Sequence, residues 1–336
     1  MTALTATHPT LLDWAKRLDP EGKIDKIAEI IAQKNELMDF LPWVQGNLPT
    51  GHRTTVRTGL PSVTWRKLYG GVQPSKSVTA QITDSCGMLE AYAEIDAALA
   101  ELNGLEAQWR MSEERPFLDS MAQEFFQTLF YGNEGTEPEA FTGLLPRFNS
   151  TTAENGINLI AGGAATGQTD CTSIWLLVLG DNTVHGIFPK GSQAGLRMED
   201  KGRITVENVD GANGRAEMYR THYRWDAGLT VRDWRYVSRA HSIDISALTK
   251  AGTATNDSDL IDLMVQMLEV VPDLNAGTPV FVCNNKIRSM LRRQIIAKTA
   301  SSTLSMENIA GRHVVTFDGI PVLRCDGIVN TESSLN

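Results

Sequence analysis

The stretch with the most obvious chemical meaning is Gly162-Gly163-Ala164-Ala165-Thr166-Gly167-Gln168-Thr169, which has the glycine spacing of a loop whose backbone amides cradle phosphate. Such a loop also needs a lysine to neutralise the phosphate charge. Gln168 stands in that place, so the stretch reads as a surface loop. The six histidines, His8, His52, His185, His222, His241 and His313, show neither HxxxH nor HExxH spacing, and no GxSxG nucleophile turn occurs. Cys86, Cys171, Cys283 and Cys325 are far apart and none belongs to a CxxC pair. Neither a zinc knuckle nor a disulfide scaffold is suggested, and they read as reduced thiols, several of them buried. The segment Asp210 to Gly214 offers one acid at the wrong spacing for a calcium loop. No catalytic residue, cofactor or metal is expected.

One basic cluster stands out: Lys286, Arg288, Arg292, Arg293 and Lys298, on a helix whose other face carries Ile287, Met290, Leu291 and Ile295. Its plain reading is the solvated face of a core helix; its functional reading is contact with DNA or with a neighbour's acids. The whole chain argues against a dedicated binder of nucleic acid, because 40 acidic against 31 basic residues leave a net charge of −9. The longest apolar run, Ile174 to Leu179, is far short of the ~20 residues needed to span a bilayer, and Met1 to Thr10 lacks a basic segment followed by an apolar one. Export and a membrane partner are therefore not expected.

The elements that would position these residues follow from pattern. A chain of 336 residues has room for two or three modules, and 42% hydrophobic with 21% charged residues excludes wholesale disorder. From Pro20 to Leu41, Ile24, Ile27, Ile31 and Met38 recur at helical spacing, and Pro42 ends the segment. Residues 47 to 86 are rich in Gly, Pro, Thr, Ser and Val and read as a long hairpin. Thr54 to Trp65 would go out, Gly70, Gly71 and Pro74 would turn, and Ser77 to Thr83 would return. Such a ribbon has few large apolar residues to bury, so it needs a surface to lie on.

Glu90 to Leu102 reads as helix, interrupted by Asn103 and Gly104; a longer helix then runs to Tyr131. Ser112, Glu113 and Glu114 look like its start, with Pro116 in its first turn; whether Leu105 to Met111 joins it is open. Residues 133 to 170 are loop-rich. A β-rich block follows, with antiparallel strands expected to turn at Asp226 to Gly228. Asp257 to Val271 is helical, "TPVFVC" is a buried strand, Lys286 to Lys298 a helix, and "HVVTFDGIPVLRCDGI" a hairpin around Asp318 and Gly319. The class is α+β.

This order of parts resembles the major capsid proteins of tailed bacteriophages with the Hong Kong 97-type fold, most of all those of short-tailed podophages. The likeness runs from about Ile24 to Ile328 and rests on "LPSVTWRKLYGG" (Leu60 to Gly71), "FTGLLPRFN" (Phe141 to Asn149), "YRWDAGLTVRDWRYVSR" (Tyr223 to Arg239) and "FDGIPVLRCD" (Phe317 to Asp326). The resemblance implies an N-terminal arm (1–50), an extended loop (51–86) and a spine helix with peripheral domain (87–135). It implies further a loop-rich axial segment or insertion (136–199), a peripheral β-region (200–245) and an axial domain (246–336).

The same resemblance implies hexamers and pentamers in an icosahedral shell around double-stranded DNA. Contacts between subunits would come from Thr54, Val56, Arg57, Val63, Trp65, Arg66, Lys67 and Tyr69 of the loop and from Ile24, Ile27, Ile31 and Met38 of the arm. Lys286, Arg288, Arg292 and Arg293 would face the interior or a neighbour. Lys67 and Lys76 lie in the ribbon without a matched acceptor, so locking is expected to be non-covalent. A separate scaffolding protein, a portal protein and a decoration protein are the implied partners, with assembly in the bacterial cytoplasm and residence in the virion.

Two other classes compete. An encapsulin-like compartment shares the fold and would be told apart by an enzyme cargo in place of DNA. A soluble α+β enzyme would gather His222, His241 and Asp244 in one pocket.

Overall fold

The computed structural model describes residues 33, 35–104, 106–207, 214–248, 259–297, 304–309 and 312–335. Packing groups them into two compact units: the smaller is built mainly from 88–125 and 195–226, the larger from 34–87, 126–194 and 227–336. Three long elements, β3 (Val78–Asp96), β8 (Arg215–Val231) and a 26-residue helix α2 (Glu106–Tyr131), begin in one unit and end in the other.

The larger unit is organised on β5 (Cys171–Leu179), all nine residues of which are buried. A continuous apolar run suits a strand covered on both faces. Its neighbours are β10 (Thr278–Cys283), antiparallel with Phe281 opposite Leu176, and β9 (Val237–Asp244), antiparallel with Ser238 opposite Leu176. Beyond β10 lie β13 (Ile320–Arg324), parallel to it, then β12 (Arg312–Phe317) and β11 (Leu304–Ile309). On the other side, β4 (Leu159–Ala161) runs parallel to β9, and β6 (Val184–Phe188) meets the end of β5, the end of β8 and the short β1 (Trp43–Gln45).

Helices α3 (Leu260–Val270) and α4 (Asn285–Ala297) contribute Leu260, Leu263, Met264, Met267, Ile287 and Leu291 to one core with Ile174, Leu176, Phe281, Phe317 and Val322. Each such side chain contributes about 1.5–3 kcal/mol by leaving water. Both helices are capped by side chains. Asp259 accepts from the amides of Ile261 (3.1 Å) and Asp262 (3.4 Å), and Asn284 from that of Ile287 (3.0 Å). The expected hairpin turn is present, with Asp318 (φ 50°) and Gly319 (φ 76°) both left-handed.

The larger unit also holds the last turns of α2, whose Phe130 meets Trp175 at 6.0 Å between ring centroids. The helix ends where Gly132 and Gly143 cross. The Gly143 amide donates to the Gly132 carbonyl at 2.8 Å, and a Cβ on either glycine would fall within 2.6 Å of backbone oxygen. Beneath this crossing is a buried charge network. Glu332, near the C-terminal end, accepts from Arg239 (3.0 Å), from Ser173 and from the Tyr131 hydroxyl (2.5 Å). Arg239 also donates to the Phe148 carbonyl (2.8 Å) and lies over the Trp175 ring (5.2 Å).

In the smaller unit the first turns of α2 cover a sheet of β3, β8 and β7 (Arg197–Glu207). β7 pairs antiparallel with β8, Met198 opposite Tyr223. Ile95, Leu99, Ala100 and Trp109 form its core, with Phe125 stacked on Trp225 at 4.3 Å. Arg110 joins helix to sheet, 2.7 Å from Asp200.

Several expectations are corrected. Glu90 to Asp96 is strand, and only Ala97–Ala100 (α1) and a 3-10 turn at Leu102–Gly104 are helical. Burial alternates there, Ala93 and Ile95 inside and Tyr92 exposed, so pairing beside β8 overrides the helix-forming composition. The long helix starts at Glu106, and Pro116 lies in its interior, because buried Trp109 and paired Arg110 anchor the earlier turns. β8 runs straight through Asp226 to Gly228; Gly228 lacks a side chain because a Cβ would sit 2.6 Å from the Ser85 carbonyl, and the reversal falls at Arg232 to Tyr236. Of the N-terminal helix, only a 3-10 turn at Glu36–Asp39 falls within the described residues, with Met38 half-buried; Ile24, Ile27 and Ile31 lie outside them, as do Asp210 and Asp257.

Two outcomes follow for stability. Glu332→Gln leaves Arg239 buried without its charge partner and should cost about 3–5 kcal/mol in denaturant unfolding, whereas Glu137→Gln on the exposed 133–139 loop should cost nothing measurable. His241 is 3% exposed, and burial followed by the nearby Arg239 push its pKa down to about 4. The unfolded chain therefore binds this proton first. Stability should fall as pH drops from about 6.5 towards 4, by roughly 3 kcal/mol from this group, and His241→Gln should flatten that slope.

Candidate functional site, an intersubunit interface

A two-stranded ribbon leaves the larger unit where β2 (Gly51–Gly59) pairs antiparallel with the start of β3, Gly51 opposite Ser85 and Gly59 opposite Val78, with an irregularity between Arg57 and Gly59. The outward strand ends six residues earlier than the sequence suggests. From Leu60 to Ser77 the chain has no regular strand, only a turn closed by the Gly70 amide on the Lys67 carbonyl (3.0 Å), with Tyr69 left-handed at φ 64°, and a Ser75 to Ser62 bond of 2.8 Å.

This tip carries apolar side chains that nothing on its own unit covers. Trp65 is 103% exposed, Tyr69 100%, Val63 and Leu68 90%, and Leu60 82%. Burying five such groups is worth on the order of 10 kcal/mol, unrealised in a lone chain. The ribbon is also one-signed. From Gly51 to Val78 it holds Arg53, Arg57, Arg66, Lys67 and Lys76 and no acid, in a chain of net charge −9.

The root, in contrast, is tied down. Arg147 donates to Asp84 (2.8 Å) and to the carbonyls of Thr142 (3.0 Å), Gly143 (3.2 Å) and Leu229 (3.3 Å). The Asn47 side chain brackets the outer edge of β2, donating to the Arg53 carbonyl (2.7 Å) and accepting from its amide (2.8 Å). Ser85 donates to Glu134 at 2.8 Å. The sequence places Arg147 and Asp84 63 positions apart, and the sole hint is a lone carboxylate in a Thr/Ser-rich strand.

Of the residues expected to meet a neighbour, Val63, Trp65, Arg66, Lys67, Tyr69 and Arg57 are exposed and Val56 is half-buried. Thr54 is corrected: at 5% exposed, it points into its own unit. In the basic cluster Lys286, Arg292 and Arg293 are exposed, but Arg288 is committed to Glu36 at 2.8 Å, tying the 3-10 turn at Glu36–Asp39 to α4.

The chemical decoys resolve locally. In the glycine-rich loop the Gly162 and Ala164 amides donate to the carbonyls of His241 (2.7 Å) and Ser242 (3.0 Å), and Gly167 to the Ser334 hydroxyl (2.9 Å), so these donors are already used. His222 stacks on Tyr92 at 4.5 Å in the smaller unit, while His241 and Asp244 belong to the larger one. None of the four cysteines is in a disulfide; burial pushes the Cys283 and Cys325 thiols up to about 12 and so disfavours the reactive thiolate. Among the described residues no helix is long and apolar enough to cross a membrane, and no group of three or more His, Cys, Asp and Glu side chains is placed to hold a metal ion.

A projecting ribbon, a long helix over a small sheet and a strand-helix core, in this order, define the Hong Kong 97-type capsid fold. Residues 19–336 match the family model of the major capsid protein GP7, and the chain belongs to that family. A chain in the near-atomic structure of bacteriophage Epsilon15 matches with TM-score 0.79 at 34% identity, covering 100% of this chain and 99% of that one. The capsid of bacteriophage JBD30 (TM-score 0.49, 9% identity, 90% of this chain and 95% of that) and the SrpI encapsulin complex of Synechococcus elongatus PCC 7942 (0.42, 12%, 66% and 92%) are more distant and carry no weight here. No curated protein matches in sequence. The protein is thus a viral structural protein, and its place is the virion.

If the tip is as free as its exposure indicates, trypsin acting on unassembled subunits should cut first after Arg66 and Lys67. Both flanking fragments should stay associated through β2 and β3, as read by mass spectrometry of native and denatured digests.

Proposed function

We propose that the ribbon is the element by which one copy of this chain grips the next, and that copies so joined form the hexamers and pentamers of an icosahedral shell around double-stranded DNA. The observation that carries this reading is the tip: five large apolar side chains held in water on a root clamped by Arg147 and Asp84. An isolated hairpin of this kind is marginal in water, and an exposed apolar patch marks a binding surface. A basic ribbon on an acidic chain finds its complement on a second copy. Repeated heterologous contacts of this sort close into rings, and a subunit held on several sides dissociates slowly.

In this reading the unit of 88–125 and 195–226 is the peripheral domain, and the larger unit, less its ribbon, is the axial domain. Residues 1–50 form the arm, and Ile24, Ile27, Ile31 and Met38 make further neighbour contacts. Lys286, Arg292 and Arg293 supply cations towards DNA or a neighbour's acids. Locking is non-covalent. Scaffolding, portal and decoration proteins act as partners during assembly in the host cytoplasm.

Negative-stain electron microscopy of the expressed chain, alone and with a scaffolding partner, should show closed particles. Trp65→Ala combined with Tyr69→Ala should lower particle yield at least tenfold while leaving the subunit's thermal unfolding unchanged; wild-type yields from this variant would remove the ribbon from the account. Because a basic ribbon meets an acidic body, the assembly rate should fall as salt is raised from 0.05 to 0.5 M, and the fall should be shallower for Arg66→Gln with Lys67→Gln.

A further inference from the structure

Four side chains at the foot of the ribbon carry buried polar atoms with no hydrogen-bond partner, His52 (Nδ1), Thr54 (Oγ1), Asp84 (Oδ2) and Thr230 (Oγ1), and the buried ring of His185 beside them has only the Gly180 carbonyl within reach. Strand register gathers them. His52 lies opposite Asp84 across β2 and β3, and His185 opposite Thr230 across β6 and β8. The two imidazoles bring these pairs together, with ring centroids 6.0 Å apart and planes at 77°. Thr54 follows two residues after His52 on the same face of β2. Buried polar groups normally find partners, and an orphaned cluster at the joint between a projecting arm and its body calls for a reason.

We propose that His52 and His185 form a proton-operated latch on the ribbon root: the neutral rings pack β2 against β6, and protonation frees the root to pivot. The proposal rests on the ribbon being the intersubunit element and adds a means of regulating it.

The surrounding charges favour this behaviour. Arg232, from the reversal after β8, opposes a proton on either ring, and His52 opposes a proton on His185. Asp84 favours a charged His52, but its Oδ1 is already engaged by Arg147. Asp181 and the Gly180 carbonyl favour a charged His185 from the segment before β6. Burial is the largest influence on both rings and pushes both below the ordinary histidine range. Two protonated rings beside Arg232 would place three cations around the buried Asp84 oxygen, with the Gly180 carbonyl and the exposed Asp181 reaching His185 alone. Acidification must therefore either break the Arg147 clamp or open the root to solvent. In both cases the β2–β3 foot loosens while β5 and β10, which contain none of these groups, stay closed.

Hydrogen–deuterium exchange by mass spectrometry on the full-length unassembled chain tests this. After correction for intrinsic rates, peptides covering 51–59 and 80–86 should exchange at least tenfold faster at pH 5 than at pH 7.5, and peptides covering 171–179 and 278–283 should not. His52→Gln with His185→Gln should remove the pH dependence. Histidine C2-hydrogen exchange on the wild-type chain keeps the test decisive if that variant folds poorly, because it gives each ring's protonation midpoint. Coincidence of the opening with either ring supports the latch. An opening at a pH where neither ring changes, or none at all, overturns it. Particle formation at pH 7.5 is scored separately, so a chain that shows the histidine-linked opening but never assembles sinks the shell reading and spares this one.

Discussion

A single buried carboxylate, Glu332, ties the C-terminal segment to three elements of the larger unit. It is buried between β5, β9 and the end of α2, and its two oxygens are shared by Ser173, Arg239 and Tyr131. A buried ion pair adds little net stability compared with well-packed apolar residues, but breaking one is costly. Such a pair therefore fixes geometry more than it adds stability. Arg239 passes the constraint on through the Phe148 carbonyl to the segment that carries Arg147, and Arg147 passes it to Asp84 on the ribbon. A continuous series of charged and polar contacts thus runs from the C-terminal segment to the root of the projecting element.

That continuity gives meaning to the contrast between root and tip. If the whole ribbon were loose, its exposed Trp65, Tyr69 and Leu68 would signal only a chain short of partners. Held on a clamped root, the same side chains are presented in a defined direction. Fixing the root before binding lowers the entropy that docking must overcome, which is how a small apolar patch comes to contribute usefully to an interface. His52 and His185 lie at this root, beside the Arg147–Asp84 clamp and not within the core of β5 and β10.

Legibility in the sequence followed the range of the interactions. "TPVFVC", the helix after Asn284 and the Asp318-Gly319 hairpin were readable because each is specified by neighbours within a few residues: a buried run, a cap, a left-handed turn pair. The second half of β3 was not, because Leu89, Glu90, Ala91 and Glu94 are helix formers, and only pairing beside β8 makes them strand. Gly228 misled in the same way, since it marks a close approach to the Ser85 carbonyl and not a turn. Within the site the hairpin itself was legible from composition, but its apolar tip was not, because Leu60 to Trp65 reads as a continuation of the outward strand. The Arg147–Asp84 clamp and the inward turn of Thr54 were not, because both depend on contacts far apart in the chain.

The ribbon's charge explains why so exposed a strand pair need not associate with its own kind. β2 is an edge strand and, with an apolar tip beyond it, invites pairing between identical ribbons. Five basic residues without an acid between Gly51 and Val78 make two ribbons repel, while the rest of the chain is more acidic than its net charge of −9 suggests. The same charges thus oppose the wrong homotypic contact and favour the right one, ribbon on body. Apolar burial supplies the strength of that contact and electrostatics its choice of partner surface, a division of labour that lets one sequence serve as both arm and socket.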